Sequence, residues 1–170
     1  MSVIDTLITD RTQADVDRVR ALTALWVTQA DGTIQWTGTS AELSEYMAGL
    51  SGAYTAYDWA RVTGAMTYLA QRLQSYGYAV TLLPLPVYDS TAIPPEAPTE
   101  DYLANVAALR SVLTVLTTTP SVPADMDQLT FEKANDIERI LADIDRLLTN
   151  AAAAFRHCGA AVCGGGLLIR

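Results

Sequence analysis

The chain has 170 residues, 50% of them apolar, with 19 acidic and 11 basic side chains and a net charge of −8. That length suits one domain with a real core, and the low share of charged residues excludes bulk disorder. A surface this acidic repels a phosphate backbone, and no apolar run approaches the ~20 residues of a membrane span, so neither nucleic acid nor membrane insertion is expected.

Residues 1–10 carry two aspartates and no basic residue, which does not read as a signal peptide. Asp10 or Thr12 can cap a first helix, on which Val16, Val19, Leu22 and Trp26 recur at helical spacing. Asp31-Gly32 marks a turn, and residues 33–38 read as extended or irregular. Thr39-x-x-Glu42 opens a second helix carrying Leu43, Tyr46, Met47 and Leu50, closed by Gly49 and Gly52. The third helix is the clearest. Thr55-x-x-Asp58 offers a cap, Gly77 a stop, and Trp59, Val62, Met66, Leu69, Leu73 and Tyr76 form a seam at steps of three and four.

Tyr78 to Leu83 is a β-prone run. Residues 84–98 hold five of the seven prolines and read as an extended crossover between helices. Thr99 is expected to cap a fourth helix, with Leu103, Val106, Leu109, Val112, Leu113 and Leu116 inward. After a loop at 117–127, Thr130 opens the longest helix, which runs to about His157 and ends at Gly159. Its apolar stripe is Ile137, Ile140, Leu141, Ile144, Leu147, Leu148, Ala151 and Phe155. Asp136, Glu138, Asp143 and Asp145 read as its solvated face, where ion pairs with Arg139 and Arg146 can form. Ala151 to Ala154 leave room for close approach by a neighbouring helix. The expected fold is mainly α: about five helices in a bundle-like array, with at most a short two-stranded β element. Residues 1–159 form the helical domain and 160–170 a Gly-rich tail or strand.

The residues offer little catalytic chemistry. Cys158 and Cys163 with His157 resemble half a metal site, but a structural zinc needs four ligands and the chain has no other histidine or cysteine. Reduced thiols, no metal and no cofactor are the expectation. His157 sits at a helix end, where a cationic ring suits the dipole. Gly164-Gly165-Gly166 lacks a phosphate loop's lysine, and Gly38 is followed by Thr39 where that loop would need one. No Gly-x-Ser-x-Gly, His-Glu-x-x-His or Cys-x-x-Cys occurs, and no catalytic residue is nominated.

Several phrases together resemble a group of small phage and prophage structural-region proteins. They are Ile8-Thr9-Asp10-Arg11-Thr12 with Asp15-Val16; Gly52-Ala53-Tyr54 with Asp58 and Arg61-Val62; and Tyr68-Leu69-Ala70 with Leu73 and Gly77-Tyr78. Further along come Tyr102-Leu103, Asn105-Val106 and Leu109-Arg110, then Met126, Leu129-Thr130 and Ala134-Asn135-Asp136-Ile137-Glu138. The chain departs from that pattern at Thr55 and Ala60, where asparagine is expected, and in its Cys-bearing C-terminus.

The resemblance implies a non-enzymatic virion protein of a tailed phage, made in the host cytoplasm and built into the tail tip, baseplate or fibre-attachment region. Its partners would be other tail proteins and copies of itself. A head-proximal connector or completion protein is the alternative, with a small enzyme or regulator encoded beside structural genes behind it. The candidate docking tail is Gly164, Gly165, Gly166, Leu167, Leu168, Ile169 and Arg170: glycines let it adapt and the aliphatics supply apolar surface. The same residues could instead fold back as a strand on Tyr78 to Leu83.

Overall fold

A computed structural model describes residues 2–88, 96–127 and 129–163, with side chains for all of these except 96–97 and 155–163. A 3-10 turn at Val3–Thr6 precedes α1 (Gln13–Thr23), β1 (Trp26–Thr28), β2 (Ile34–Trp36), α2 (Ser40–Ala48), α3 (Ala56–Ser75), α4 (Glu96–Val112) and α5 (Phe131–Cys163). The fold is mainly α, with five helices and one two-stranded antiparallel sheet among the described residues. No described helix is long and apolar enough to cross a membrane.

The first three helices begin where the sequence provides a reciprocal cap. The hydroxyls of Thr12, Thr39 and Thr55 accept from the backbone N–H of Asp15, Glu42 and Asp58, and each acid's carboxylate accepts from its threonine's N–H. Gly77, at φ +85°, turns the chain out of α3 in a conformation other residues adopt only with strain.

Helices α3, α4 and α5 pack around one core. Trp59 stacks on Tyr102 with ring centroids 4.5 Å apart. Val62, Met66, Leu69 and Leu73 of α3 meet Val106 and Leu109 of α4 and Ile137, Ile140, Leu141 and Ile144 of α5. Val3, Ile4 and Leu7 cover one side. Tyr76 and Leu116, expected inward, are 46% and 39% exposed because they lie past the ends of α3 and α4.

The α1–β1–β2–α2 segment forms a lobe beside this bundle. Of the first helix's expected stripe only Leu22 is buried. The helix stops at Thr23, and Trp26 belongs to β1, opposite Trp36 in the hairpin. Those two indoles meet edge to face at 5.1 Å, and Tyr46 of α2 packs against both. The lobe therefore has a small aromatic centre of its own.

The β-prone run from Tyr78 to Leu83 is not a strand. It lies against α3 and α4, whose side chains take the place of a strand partner. Asn105 accepts from the Leu83 N–H at 2.7 Å and donates to the Leu83 carbonyl at 2.9 Å, while Gln74 donates to the Val80 carbonyl at 2.8 Å. Two helix boundaries also differ from expectation. α4 begins at Glu96, so Thr99 lies inside it; Pro98 is tolerated because the first-turn N–H groups have no intrahelical acceptor. α5 runs through Gly159 to Cys163, since one glycine costs a helix only about 1 kcal/mol and alanines surround this one. Residues 89–95 of the Pro-rich crossover and the whole Gly164–Arg170 tail, with its fold-back alternative, lie outside the described residues.

Candidate functional site

The polar centre of the molecule is a buried four-charge clamp. Arg11 comes from the N-terminal segment, Asp58 and Arg61 from the first turns of α3, and Glu138 from α5. The Arg11 Nη2 donates to Glu138 Oε1 at 2.7 Å and to Asp58 Oδ1 at 3.2 Å. The Arg61 Nη2 donates to the same two oxygens, at 2.8 and 2.7 Å. Glu138 is wholly buried, and the side chains of the other three are at most 9% exposed.

Two positive and two negative charges balance, so no net charge is buried; charge-assisted bonds offset much of the desolvation, although the Arg61 Nε is buried without a partner. The remaining oxygens are also used. Asp58 Oδ2 closes the α3 cap by accepting from Thr55, and Glu138 Oε2 accepts from the Ile8 N–H at 2.6 Å. Arg11 donates further to the Ile8 and Ser51 carbonyls, Arg61 to the Thr6 carbonyl, and Asn135 exchanges two hydrogen bonds with the Arg11 backbone. Burial nevertheless outweighs the two guanidiniums and raises the Glu138 pKa above the usual glutamate value. Above the clamp, Arg11 lies 5.9 Å from the Tyr54 ring centre, and the Tyr54 and Tyr102 hydroxyls share a hydrogen bond. Burial pushes both phenols well above their ordinary pKa, so both stay neutral.

This arrangement holds segments together. Each carboxylate oxygen of Asp58 and Glu138 already accepts at least one hydrogen bond. A groove of about 530 Å³ opens on one side, lined by Gln13, Arg20, Tyr54, Phe131 and Glu132, and one of about 440 Å³ on the other, lined by Ile8, Met47, Leu50, Tyr57 and Arg61. Among the described residues no group of three His, Cys, Asp or Glu side chains is placed to hold a metal ion.

The expected solvated face of α5 is corrected by this geometry. Glu138 and Asp143 are buried; Asp143 accepts from the Thr119 hydroxyl at 2.6 Å and pairs with Arg146 at 2.8 Å. Asp145 pairs with Arg72 of α3. Helical phase hinted at this for Glu138, which lies four residues after Ala134 and three before Leu141, both core. The candidate docking tail, Gly164 to Arg170, lies outside the described residues. Cys158 and Cys163 lie five apart on a continuous helix, where Cα atoms are about 8–9 Å apart, beyond a disulfide's reach.

Some of the phrases behind the phage-protein resemblance, scattered in sequence, meet at this clamp, while others, such as Leu69-Ala70 and Leu109-Arg110, lie in the apolar core or along α4. Arg11, Asp58, Arg61 and Glu138 form it, Asn135 holds the Arg11 backbone, and Tyr54, bonded to Tyr102, lies against Arg11. Gly52 abuts the start of α1 so closely that a Cβ would lie 2.3 Å from the Asp15 carbonyl. No family model, curated protein or solved structure matches the chain.

Proposed function

We propose that the chain is a non-enzymatic structural component of a tailed-phage virion, seated in the tail tip, baseplate or fibre-attachment region. The observation that carries this reading is that several of the resemblance phrases, those with Arg11, Asp58, Arg61 and Glu138, meet in the clamp. Although Arg11, Tyr54, Asp58 and Arg61 also border the two grooves, most of their polar atoms are engaged with one another and with backbone, which supports a role in holding the body's shape. The segment Gly164 to Arg170 is the candidate arm toward neighbouring tail subunits.

Mass spectrometry and immunogold labelling of purified particles test the reading. Stoichiometric copies confined to the tail end are expected. Absence from particles would overturn the virion role, and labelling at the head–tail junction would favour the connector alternative. Deleting residues 164–170 should leave helicity and Tm unchanged but lower the copy number per particle.

A further inference from the structure

An apolar groove stands open at the end of the bundle. It lies where α3 and α4 stop against α5, holds about 310 Å³, and is lined by Tyr76, Tyr78, Leu113, Thr114, Leu147 and Ala151. Tyr76 and Tyr78 are 46% and 42% exposed, so each keeps nearly half its surface in water. An open cleft walled by large apolar side chains marks a docking place.

The sequence that follows α5 fits this groove in length, chemistry and charge. From Ala152, at the groove, to Cys163 is about 16 Å of helix, and the six residues from Gly164 to Ile169 span up to about 20 Å when extended. Gly164, Gly165 and Gly166 can reverse the chain through conformations costly to other residues. Leu167, Leu168 and Ile169 then supply aliphatic side chains. Residues 147–170 carry two arginines and no acid, while the preceding 146 carry nine basic and nineteen acidic side chains. The body therefore attracts this end of the chain. A strand returning along Tyr78 to Leu83 finds its partners taken: the Val80 and Leu83 carbonyls accept from Gln74 and Asn105, and the Leu83 N–H donates to Asn105.

We infer that residues 164–170 lie in this groove of their own chain, with Leu168 and Ile169 against Tyr76, Tyr78 and Leu113. A segment tethered this closely meets the groove at an effective concentration in the millimolar range. The same segment of a second copy has no such tether, and two bodies of net −8 repel. Ordering seven residues offsets most of what the contacts contribute, so Tm hardly registers the docking and the segment's position is the quantity to measure. As an arm toward a neighbouring subunit, the segment would be drawn out of this groove on assembly.

This placement does not depend on the virion reading and is tested on the isolated full-length chain. Thr114 is exposed at the groove, and Ala153 is exposed at the same level of α5 but on the face opposite Ala151. In a Cys158→Ser, Cys163→Ser background, Thr114→Cys with Ile169→Cys should form an intrachain disulfide about tenfold faster than Ala153→Cys with Ile169→Cys. A segment free in solution would reach both positions alike. Leu168→Asp should abolish the difference, because a carboxylate would have to enter the apolar groove. Equal melting curves will show that every variant keeps the bundle. Equal rates at Thr114 and Ala153, or a difference indifferent to Leu168→Asp, would overturn the inference. A disulfide between chains in place of one within the chain would overturn docking on the segment's own body.

Discussion

Arg11 and Glu138 are 127 residues apart in sequence and 2.7 Å apart in space, both out of water. A buried ion pair contributes little over a well-packed apolar pair, yet removing one member strands the other in a poor solvent. Glu138→Ala should therefore cost about 3–5 kcal/mol. Arg11→Ala combined with Glu138→Ala should cost clearly less than the sum of the single changes. Urea midpoints of the four proteins measure this, and strict additivity would show that the contact is energetically idle.

Core and surface should separate cleanly. Leu69 and Ile144 are fully buried, and truncating either to alanine should cost about 2–5 kcal/mol. Exposed Gln71 should cost under about 0.5 kcal/mol. Arg72, which sequence alone places on the surface, pairs with Asp145 and donates to Thr149. Its truncation should fall between, at up to about 1 kcal/mol.

Two glycines make a sharper comparison. Gly52→Ala drives a Cβ into the backbone of Asp15 and Val16, which have no side-chain freedom to yield, and should cost about 1–3 kcal/mol. Gly32 has open space around it but a φ of +83°, so Gly32→Ala meets only backbone strain, about 1 kcal/mol. Equal losses in thermal melts would mean that the contact between Gly52 and α1 is not rigid.

Acid should loosen the lobe before the bundle. Hydrogen bonds from Thr12 and Thr39 hold the Asp15 and Glu42 carboxyls below their ordinary pKa, and Arg18 does the same for Glu45. A depressed folded-state pKa gives stability that is present above the unfolded value and lost as pH falls through the folded one. The loss should thus appear below about pH 4, the ordinary carboxylate range. Glu138 has the opposite sign: its raised pKa lets the folded state take up a proton first, so it adds no acid sensitivity. Indole fluorescence of Trp26 and Trp36 should change at higher pH than bundle helicity. Simultaneous loss would assign the acid response to the bundle.

Much of the frame was legible in the sequence because capping boxes and stripes are local. Thr55, Asp58 and Gly77 mark α3, and the seam from Trp59 to Leu73 is its buried face. The clamp was not legible, because its members come from three separate segments and each has an ordinary local role: Asp58 as a cap, Glu138 as one more acid on a charged helix. Only docking α3 against α5 under the N-terminal segment reveals them as partners. The β-prone run at Tyr78 to Leu83 forms no strand for a related reason. β-propensity describes a residue that fits a pleated surface, and here Asn105, twenty-two residues away, supplies the hydrogen bonds a neighbouring strand would have made.

The Arg11 guanidinium grips the carbonyl of Ser51 at 2.8 Å. The chain thus leaves the frame for α1, makes its hairpin and α2, and returns to within one hydrogen bond of its departure. Residues 12–50 amount to an excursion with stitched ends, and a short linker could bridge the same gap with little added closure entropy. The frame holds this excursion at its two ends, through the Arg11–Ser51 bond and through the close seat of Gly52 on α1. What the lobe presents is thus set by a local aromatic centre, while the core's folding is set by α3, α4 and α5.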